Sequence, residues 1–493
     1  MPDTRHQPPM ILALDIGTSS VRAITFDQFG EPVGAEVRLM YAMETTQDGG
    51  VEIDAERLLD TICRVMDGFC AQEGIDATQI RGVGISTFWH NVVGVGGDGY
   101  AVTPLISWAD TRPASVIPEL RDLLDETANH ARTGCVLHPS YLPAKLLWFA
   151  RAHKEQFRKA IRWMSIGEYI GLRLFGEIRC SISMASGTGL FNPHTCEWEP
   201  ETLAALPIDE EQLSPLTDFL TPFSGLTDEF GSRWPALRDI HWWPALGDGA
   251  CSNVGSGCVS AGRTALMVGT SGAMRVMWST DDFTIPDGLW CYRADGRRIL
   301  MGGAVSNGGN IYGWMRETLK LDSQEAIEHA LADTPPAAHG LTVLPFWAGE
   351  RSPGWHASAR ATISGMTLHT TPLDIFRAGL EATTYCLASI YERLEAVNTE
   401  GQEIVASGAG LLQSPAWMQM MADVLGRVLT ASAVQEASSR GVALLALEAF
   451  GALNDLSDAP VPLGATYEPD IQRHERYHEA MEQQRVFYDM MIA

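Results

Sequence analysis

The sequence predicts an α/β protein made of two related halves, each built around a phosphate-binding turn. Three observations predict it. A strand, a Gly-Thr-Ser turn and a second strand occur twice, around Gly17-Thr18-Ser19-Ser20 and around Gly269-Thr270-Ser271-Gly272, which reads as a duplicated fold. Amphipathic helical patterns, over residues 55–70 and 373–397 among others, alternate with short apolar strands. A length of 493 residues with 45% hydrophobic composition supports two or three cores rather than one.

The first strand, residues 11–15, ends at Asp15. In the following turn backbone N–H groups can converge on an anion, while Asp15 can hold a metal through its waters; a plain Gly-Ser hairpin is the competing reading. The helix over 55–70 places Leu58, Leu59, Ile62, Val65 and Met66 on one apolar face. The strand over 80–86 delivers Trp89 and His90, and Ser107-Trp108-Ala109-Asp110-Thr111-Arg112 supplies further groups at a strand end. Aromatic faces for C–H groups beside charged donors and acceptors for hydroxyls suit polyol recognition, although a lone histidine is more often structural. Gly94-Val95-Gly96-Gly97-Asp98-Gly99 has the spacing of a dinucleotide fingerprint, but an extended run follows it, so it reads as a hairpin turn. No P-loop motif occurs.

Residues 114–246 read as helices with irregular connections, including 144–157 and 168–174. Lys145 follows a proline-bounded segment that can aim it, or Tyr141, into a cleft; a solvated helix-start lysine is the alternative. Residues 181–192 are small and hydroxylated and read as a loop. Asp248 lies between two glycines in the turn after residues 242–246, so its carboxylate can approach a bound group unobstructed. It is the candidate base, against the reading of an Asp that simply favours turns. The pattern restarts near residue 261, which divides the chain into 10–258, 259–455 and an extension over 456–493. In the second half, glycines before the helix containing Trp314 permit close backbone approach to a ligand. The segment 346–355 is a structured loop with Glu350 and Arg351 as a candidate charge pair, and a strand over 404–410 ends in small residues on which a purine can lie. The small-residue helix over 439–446 reads as core.

The formal net charge of -26 argues against nucleic acid or an anionic membrane as partner. The same field repels anionic substrates, so local cations and N–H groups must overcome it at close range. Nine cysteines lack any C-x-x-C pair, and Cys63 and Cys70 read as two buried thiols on one helix; a reduced, cytoplasmic protein is expected. The histidines lack zinc spacing, residues 1–10 lack an apolar leader, and no apolar run is long enough to span a bilayer.

Taken together, LDIGTSS (14–20), ALGDGA (245–250), GTSG (269–272) and ASGAG (406–410) resemble, in this order, the motifs of the FGGY carbohydrate kinase family. STFWH (86–90), SWADTR (107–112), SGTGLFN (186–192) and FWAGERSPGW (346–355) are similar to the gluconate kinase versions. The resemblance implies an actin-like ATPase fold of two ribonuclease-H-like domains, with the active site in the cleft between them. It implies ATP and Mg²⁺, with Asp248 as general base toward the terminal hydroxyl of a sugar acid, foremost D-gluconate. Asp15 would hold Mg²⁺, and Thr18, Ser19, Gly269 and Thr270 the phosphates. Gly309, Gly408, Ala409, Gly410 and Gln413 would line the nucleoside, and Trp89, His90 and Asp110 the sugar. A carboxylated substrate also demands a cation, for which Arg112, Lys145 and Arg351 are the candidates in that order. Two departures stand out: SGAG replaces the usual run of glycines, and His90 stands where glycerol-type members carry an acid. The rival readings are a kinase for another pentulose, polyol or sugar acid, and an actin- or chaperone-like ATPase without transfer. Domain closure is expected, to exclude water, and a homodimer is an admissible assembly.

Overall fold

Alternation of apolar residues makes β1 (Met10–Ile16) and β2 (Ser20–Phe26) an antiparallel hairpin, in register from Ile11 opposite Phe26 to Ile16 opposite Val21. The computed structural model describes residues 9–72, 77–223, 225–398, 400 and 403–492, so the expectation about the first eight residues lies outside it. β3 (Pro32–Met40) continues the sheet on β2. The Asp54 carboxylate accepts from the Arg57 N–H and so caps α1 (Ala55–Cys70), whose Leu58, Ile62, Val65 and Met66 are fully buried. Cys63 is buried as expected, but Cys70 is exposed. The two lie seven positions apart on one helix, but Cys70 is the last residue of α1, where the buried face has ended at Phe69.

β4 (Ile80–Thr87) runs parallel to β1. Residues 94–99 form a turn, with the Gly96 N–H donating to the Tyr100 carbonyl at 2.9 Å and Gly99 at φ 82°. The helix expected over 144–157 is α2 (Leu142–Ala152) followed, after a break at His153, by a separate short helix, Lys154–Lys159. The loop expected over 181–192 begins instead with a helical turn, α3 (Ile182–Ser186), capped by the Ser181 hydroxyl. β5 (His241–Trp242) and β6 (Leu246–Gly247) both pair parallel with β4, giving the order β5-β4-β1-β2-β3 with β6 further along β4. α4 (Asp248–Gly255) follows at once, so Asp248 is the first residue of a helix and not part of a free loop.

The second half repeats this connectivity. β7 (Arg263–Val268) and β8 (Gly272–Ser279) form the second hairpin, joined by β9 (Trp290–Arg293) and β10 (Arg298–Val305). α5 (Gly309–Thr318) and α6 (Pro372–Val397) follow, α6 opened by a reciprocal capping pair of Thr371 and Asp374. β11 (Glu403–Ser407) pairs parallel with β7, as β4 does with β1. After α7 (Pro415–Leu425), β12 (Leu429–Ser432), α8 (Ala437–Phe450), β13 (Leu463–Tyr467) and α9 (Ile471–Ile492), the order is β9-β10-β8-β7-β11-β12-β13. The segment after residue 455 is therefore no appendage. β13 is the edge strand of the sheet, and Tyr477 and Met481 of α9 are buried in the second core.

α8 is the element that joins the halves. It leaves the second sheet and packs on α4, β1 and β4, where residues 442–447 enter the first core. Glycines allow this approach. A Cβ on Gly441 would lie 1.7 Å from the Cys251 carbonyl oxygen, and one on Gly255 1.8 Å from that of Ala437. Among the described residues no helix is long and apolar enough to cross a membrane.

Candidate active site

The two hairpin turns and the start of α4 supply the polar groups of the site. In the first turn the Gly17 N–H donates to the Ser20 carbonyl at 3.0 Å, and Tyr41 braces the outside by donating its hydroxyl to the Gly17 carbonyl. Thr18 is half-buried and Ser19 exposed. Asp15, at the end of β1, is buried; burial raises its pKa, against a hydrogen bond from Ser86 and the charge of Arg22, whose Nε is 3.6 Å away.

The second turn sits in a cradle of bare backbone. The Gly309 and Asn310 N–H groups donate to the Gly269 and Thr270 carbonyls at 2.8 and 3.1 Å. A Cβ on Gly309 would meet the Gly269 carbonyl at 2.4 Å, and one on Gly410 would meet the same oxygen at 2.8 Å. Gly408, at φ 92°, approaches Val268 so closely that a side chain would fall 2.4 Å from its carbonyl oxygen. The structure thus gathers Gly269, Gly309, Gly408 and Gly410 from three separate segments, with Thr270, Ala409 and Gln413 exposed around them.

Asp248 is half-buried at the first turn of α4. Burial and then the charge of Asp15 push its carboxyl up to about 6, opposed by Arg275 and by the N–H groups of Gly249 and Trp89. Asp15 at the end of β1 thus acts on Asp248 at the start of α4. The Gly249 N–H donates to Asp248 Oδ1 at 2.8 Å.

Beside Asp248 lies an aromatic wall. Trp89 fits against Gly247, Gly249 and Gly187, where a Cβ would come within 1.9, 2.7 and 2.6 Å of its ring, and its Nε1 donates to the Ser183 carbonyl at 2.9 Å. His90 has φ 59°, unusual for a residue with a Cβ, and its Nδ1 donates to the Gly187 carbonyl. Burial holds its pKa down to about 3, helped by the charges of Lys145 and Arg351, so the ring is neutral and Nε2 remains an acceptor. Tyr292 of β9 faces Trp89 and His90 at ring separations of 4.9 and 5.5 Å and shares a 2.7 Å hydrogen bond with the Tyr141 hydroxyl, so both halves build the wall.

The three candidate cations have different surroundings. Arg112 is occupied: its Nε and Nη2 bind Asp110, Nη2 also pairs with Glu52, and the guanidinium lies over Trp148. Asp110 is consumed by the same arrangement, accepting in addition from the Val51 N–H at 3.1 Å. Lys145 is fully buried, and its Nζ donates to the carbonyls of His90 and Ser107; burial lowers its pKa to about 7. Arg351 differs. Its guanidinium lies 5.9 Å from the ring centres of both Trp108 and Trp355, and its buried Nε has no hydrogen-bond partner. The expected charge pair with Glu350 does not form, because Glu350 turns away to accept from the Tyr488 hydroxyl at 2.7 Å.

The sequence matches the N-terminal domain of the FGGY family of carbohydrate kinases over residues 10–255 and its C-terminal domain over residues 264–450. The chain belongs to the FGGY family of carbohydrate kinases. It is a phosphotransferase acting on an alcohol group, in a two-domain α/β architecture of the actin-like ATPase type. It is 26% identical to the gluconokinase of Bacillus subtilis (strain 168), over 98% of this chain and 94% of that protein. Two solved structures from Lactobacillus acidophilus are similar at a TM-score of 0.91 and 27% identity: a gluconate kinase, covering 99% of both chains, and a ligand-bound xylulose kinase, covering 98% of this chain and 99% of that one.

In this FGGY kinase the sequence left several groups unassigned. Tyr292 lies in an apolar strand with nothing to mark it, and α3 carried no signal beyond small residues. Arg275 did carry one: it is the lone charge in the run from Ala273 to Trp278, on a strand that proves to be buried. Its side chain reaches from β8 to α4 and donates to the Gly249 carbonyl at 3.1 Å. One buried carboxylate beside a turn rich in hydroxyls suits Mg²⁺, which keeps waters and takes one or two carboxylates together with substrate phosphates.

Proposed function

We propose that this FGGY kinase transfers the γ-phosphoryl group of ATP to the terminal hydroxyl of a sugar acid, foremost D-gluconate, giving 6-phospho-D-gluconate. The observation that carries the choice of an acid is Arg351, a cation without a carboxylate partner among the described residues, set between two indole faces. Arg112 and Lys145 are already engaged and drop out as partners of a substrate carboxylate. Asp248, ionised at neutral pH, accepts the proton of the attacking hydroxyl as the oxygen approaches phosphorus in line. N–H and hydroxyl groups of the two turns, at Thr18, Ser19, Gly269 and Thr270, hold the phosphates from both sides, and the Gly309, Gly408, Ala409, Gly410 and Gln413 backbone seats the nucleoside. Asp15 would hold Mg²⁺ through its waters, and the ion would supply charge neutralisation for the phosphates. Trp89 backs the sugar, and His90 Nε2 accepts from one of its hydroxyls. Nine unbonded cysteines suit a reducing, cytoplasmic setting.

A pentulose is the second reading, supported by the likeness to the xylulose kinase structure, as close as that to the gluconate kinase. Coupled ADP release with D-gluconate, D-xylulose, L-ribulose and glycerol decides between them, with Asp248→Asn as the blank. Fastest turnover is expected on gluconate, and Arg351→Met is expected to raise the gluconate KM about 10–100-fold, the worth of a charge-assisted contact, with neutral sugars unaffected. Turnover on xylulose alone, or an unchanged gluconate KM in Arg351→Met, would overturn the sugar-acid reading.

A further inference from the structure

Arg275 reaches from the second sheet to the start of α4, beside Asp248. It sits on β8, three residues beyond the Gly-Thr-Ser-Gly turn, opposite Ala265 on β7 and Gly302 on β10. Two glycines open its path. A Cβ on Gly302 would lie 2.8 Å from its Cγ, and one on Gly249 would lie 2.6 Å from its Nη1. The guanidinium is buried, donates to the Gly249 carbonyl from Nη1, and leaves Nε without a partner. A buried, incompletely bonded arginine costs more than an apolar residue in the same space. Nothing in the packing of β8 requires the charge, since its neighbours Met274 and Val276 are fully buried apolar residues. What the charge does have is Asp248, whose carboxylate it attracts from the residue preceding Gly249.

We propose that Arg275 is a positioning residue for the transfer step: it ties the first turn of α4 to the strand that leaves the second phosphate turn, so that the Asp248 carboxylate and the phosphate cradle keep one geometry. This rests on the reading of Asp248 as the base. The carbonyl of Gly249 anchors the backbone, and the positive charge holds the adjacent carboxylate on the side of the sugar. Because β8 is continuous with Gly269-Thr270-Ser271-Gly272, Arg275 couples that turn to α4 directly, beside the contact that α8 makes through the Ser438 hydroxyl with the Asp248 carbonyl. The effect belongs to the chemical step and not to sugar or nucleotide affinity, as the donor of Arg275 is spent on the Gly249 carbonyl and its charge acts on Asp248.

The test compares Arg275→Met, Arg275→Lys and Arg275→Ala with the parent enzyme and Asp248→Asn, on whichever sugar of the panel is turned over fastest. Arg275→Met is expected to lower kcat about 100-fold, the cost of a small misplacement of a reacting group, with the KM values for sugar and ATP little changed. Arg275→Lys is expected to recover part of the loss, and added guanidinium ion to restore turnover partly in Arg275→Ala. A kcat near the parent value in Arg275→Met would overturn the proposal, as would a loss that appears in KM, or a loss that neither lysine nor guanidinium relieves. If Asp248→Asn retains full turnover, the assignment of the base fails first, and the role of Arg275 falls with it.

Discussion

Asp248 carries the sharpest consequence at the scale of single residues. In the role of base proposed above, its carboxyl, raised by burial to about 6, acts only when ionised, so kcat/KM is expected to fall as pH drops through about 6 and to reach its plateau above. A pH profile of kcat/KM in the free enzyme checks this; an acid limb near the ordinary Asp value of about 4 would contradict the buried environment. Lys145 supports the site from behind. Its Nζ satisfies the carbonyls of His90 and Ser107, and His90 is held in a left-handed conformation that a residue with a Cβ adopts reluctantly. Lys145→Met leaves two buried carbonyls unpaired and is expected to cost about 1–3 kcal/mol in urea unfolding, together with a higher sugar KM as His90 relaxes. An unchanged unfolding midpoint would show that these carbonyls find other donors. Asp110 and Arg112 show the limit of reading residue types. Both were legible as polar groups at a strand end, but their mutual pairing depends on Glu52 and Val51, about 60 positions away in the chain.

Among elements, α4 and α8 decide how the halves meet. Gly255 and Gly441 bring the two helices to backbone contact, closer than ordinary side-chain packing permits. Gly441→Ala places a methyl group on the Cys251 carbonyl and is expected to destabilise the protein by about 1–3 kcal/mol or more, measurable as a lower thermal midpoint. A neutral effect would mean that α8 slides without cost. The strands, the turns and helices α1 and α6 were legible because each carries its own period and caps. The break at His153 and the turn of α3 were not. Good helix formers, Lys154, Glu155 and Gln156, follow the first with no glycine or proline to mark a stop, and small residues in the second fit loop and helix equally well.

Over the whole molecule, the charge of -26 opposes the long-range approach of the anionic substrates proposed above. Long-range repulsion is screened by salt, whereas the proposed contact of a substrate carboxylate with the half-buried Arg351 acts at short range and is screened less. Raising ionic strength from about 20 mM to about 150 mM shortens the Debye length to about 8 Å, so kcat/KM for MgATP with gluconate is expected to rise. Stopped-flow or steady-state rates at several salt concentrations check the sign; a steady fall would mean that local attraction dominates at all distances. The chain after residue 455 belongs to this scale as well. Its strand and helix complete the second sheet and core, so truncation there removes part of a domain.

The sequence by itself determined the class of fold, the two Gly-Thr-Ser hairpin turns and the family, because these rest on short motifs in which a few residues impose the local backbone. Only the tertiary structure decided which charges are free. Arg112, Lys145 and Arg351 are equivalent as letters in a sequence, but two spend their donors on partners brought in by folding, and one is left between two tryptophans. The same holds for Arg275, whose proposed role depends on Gly302 beside it in the sheet and on Gly249, which only folding brings to its guanidinium. Hydrogen-bond occupancy is a property of neighbours in space, and the neighbours here come from distant parts of the chain.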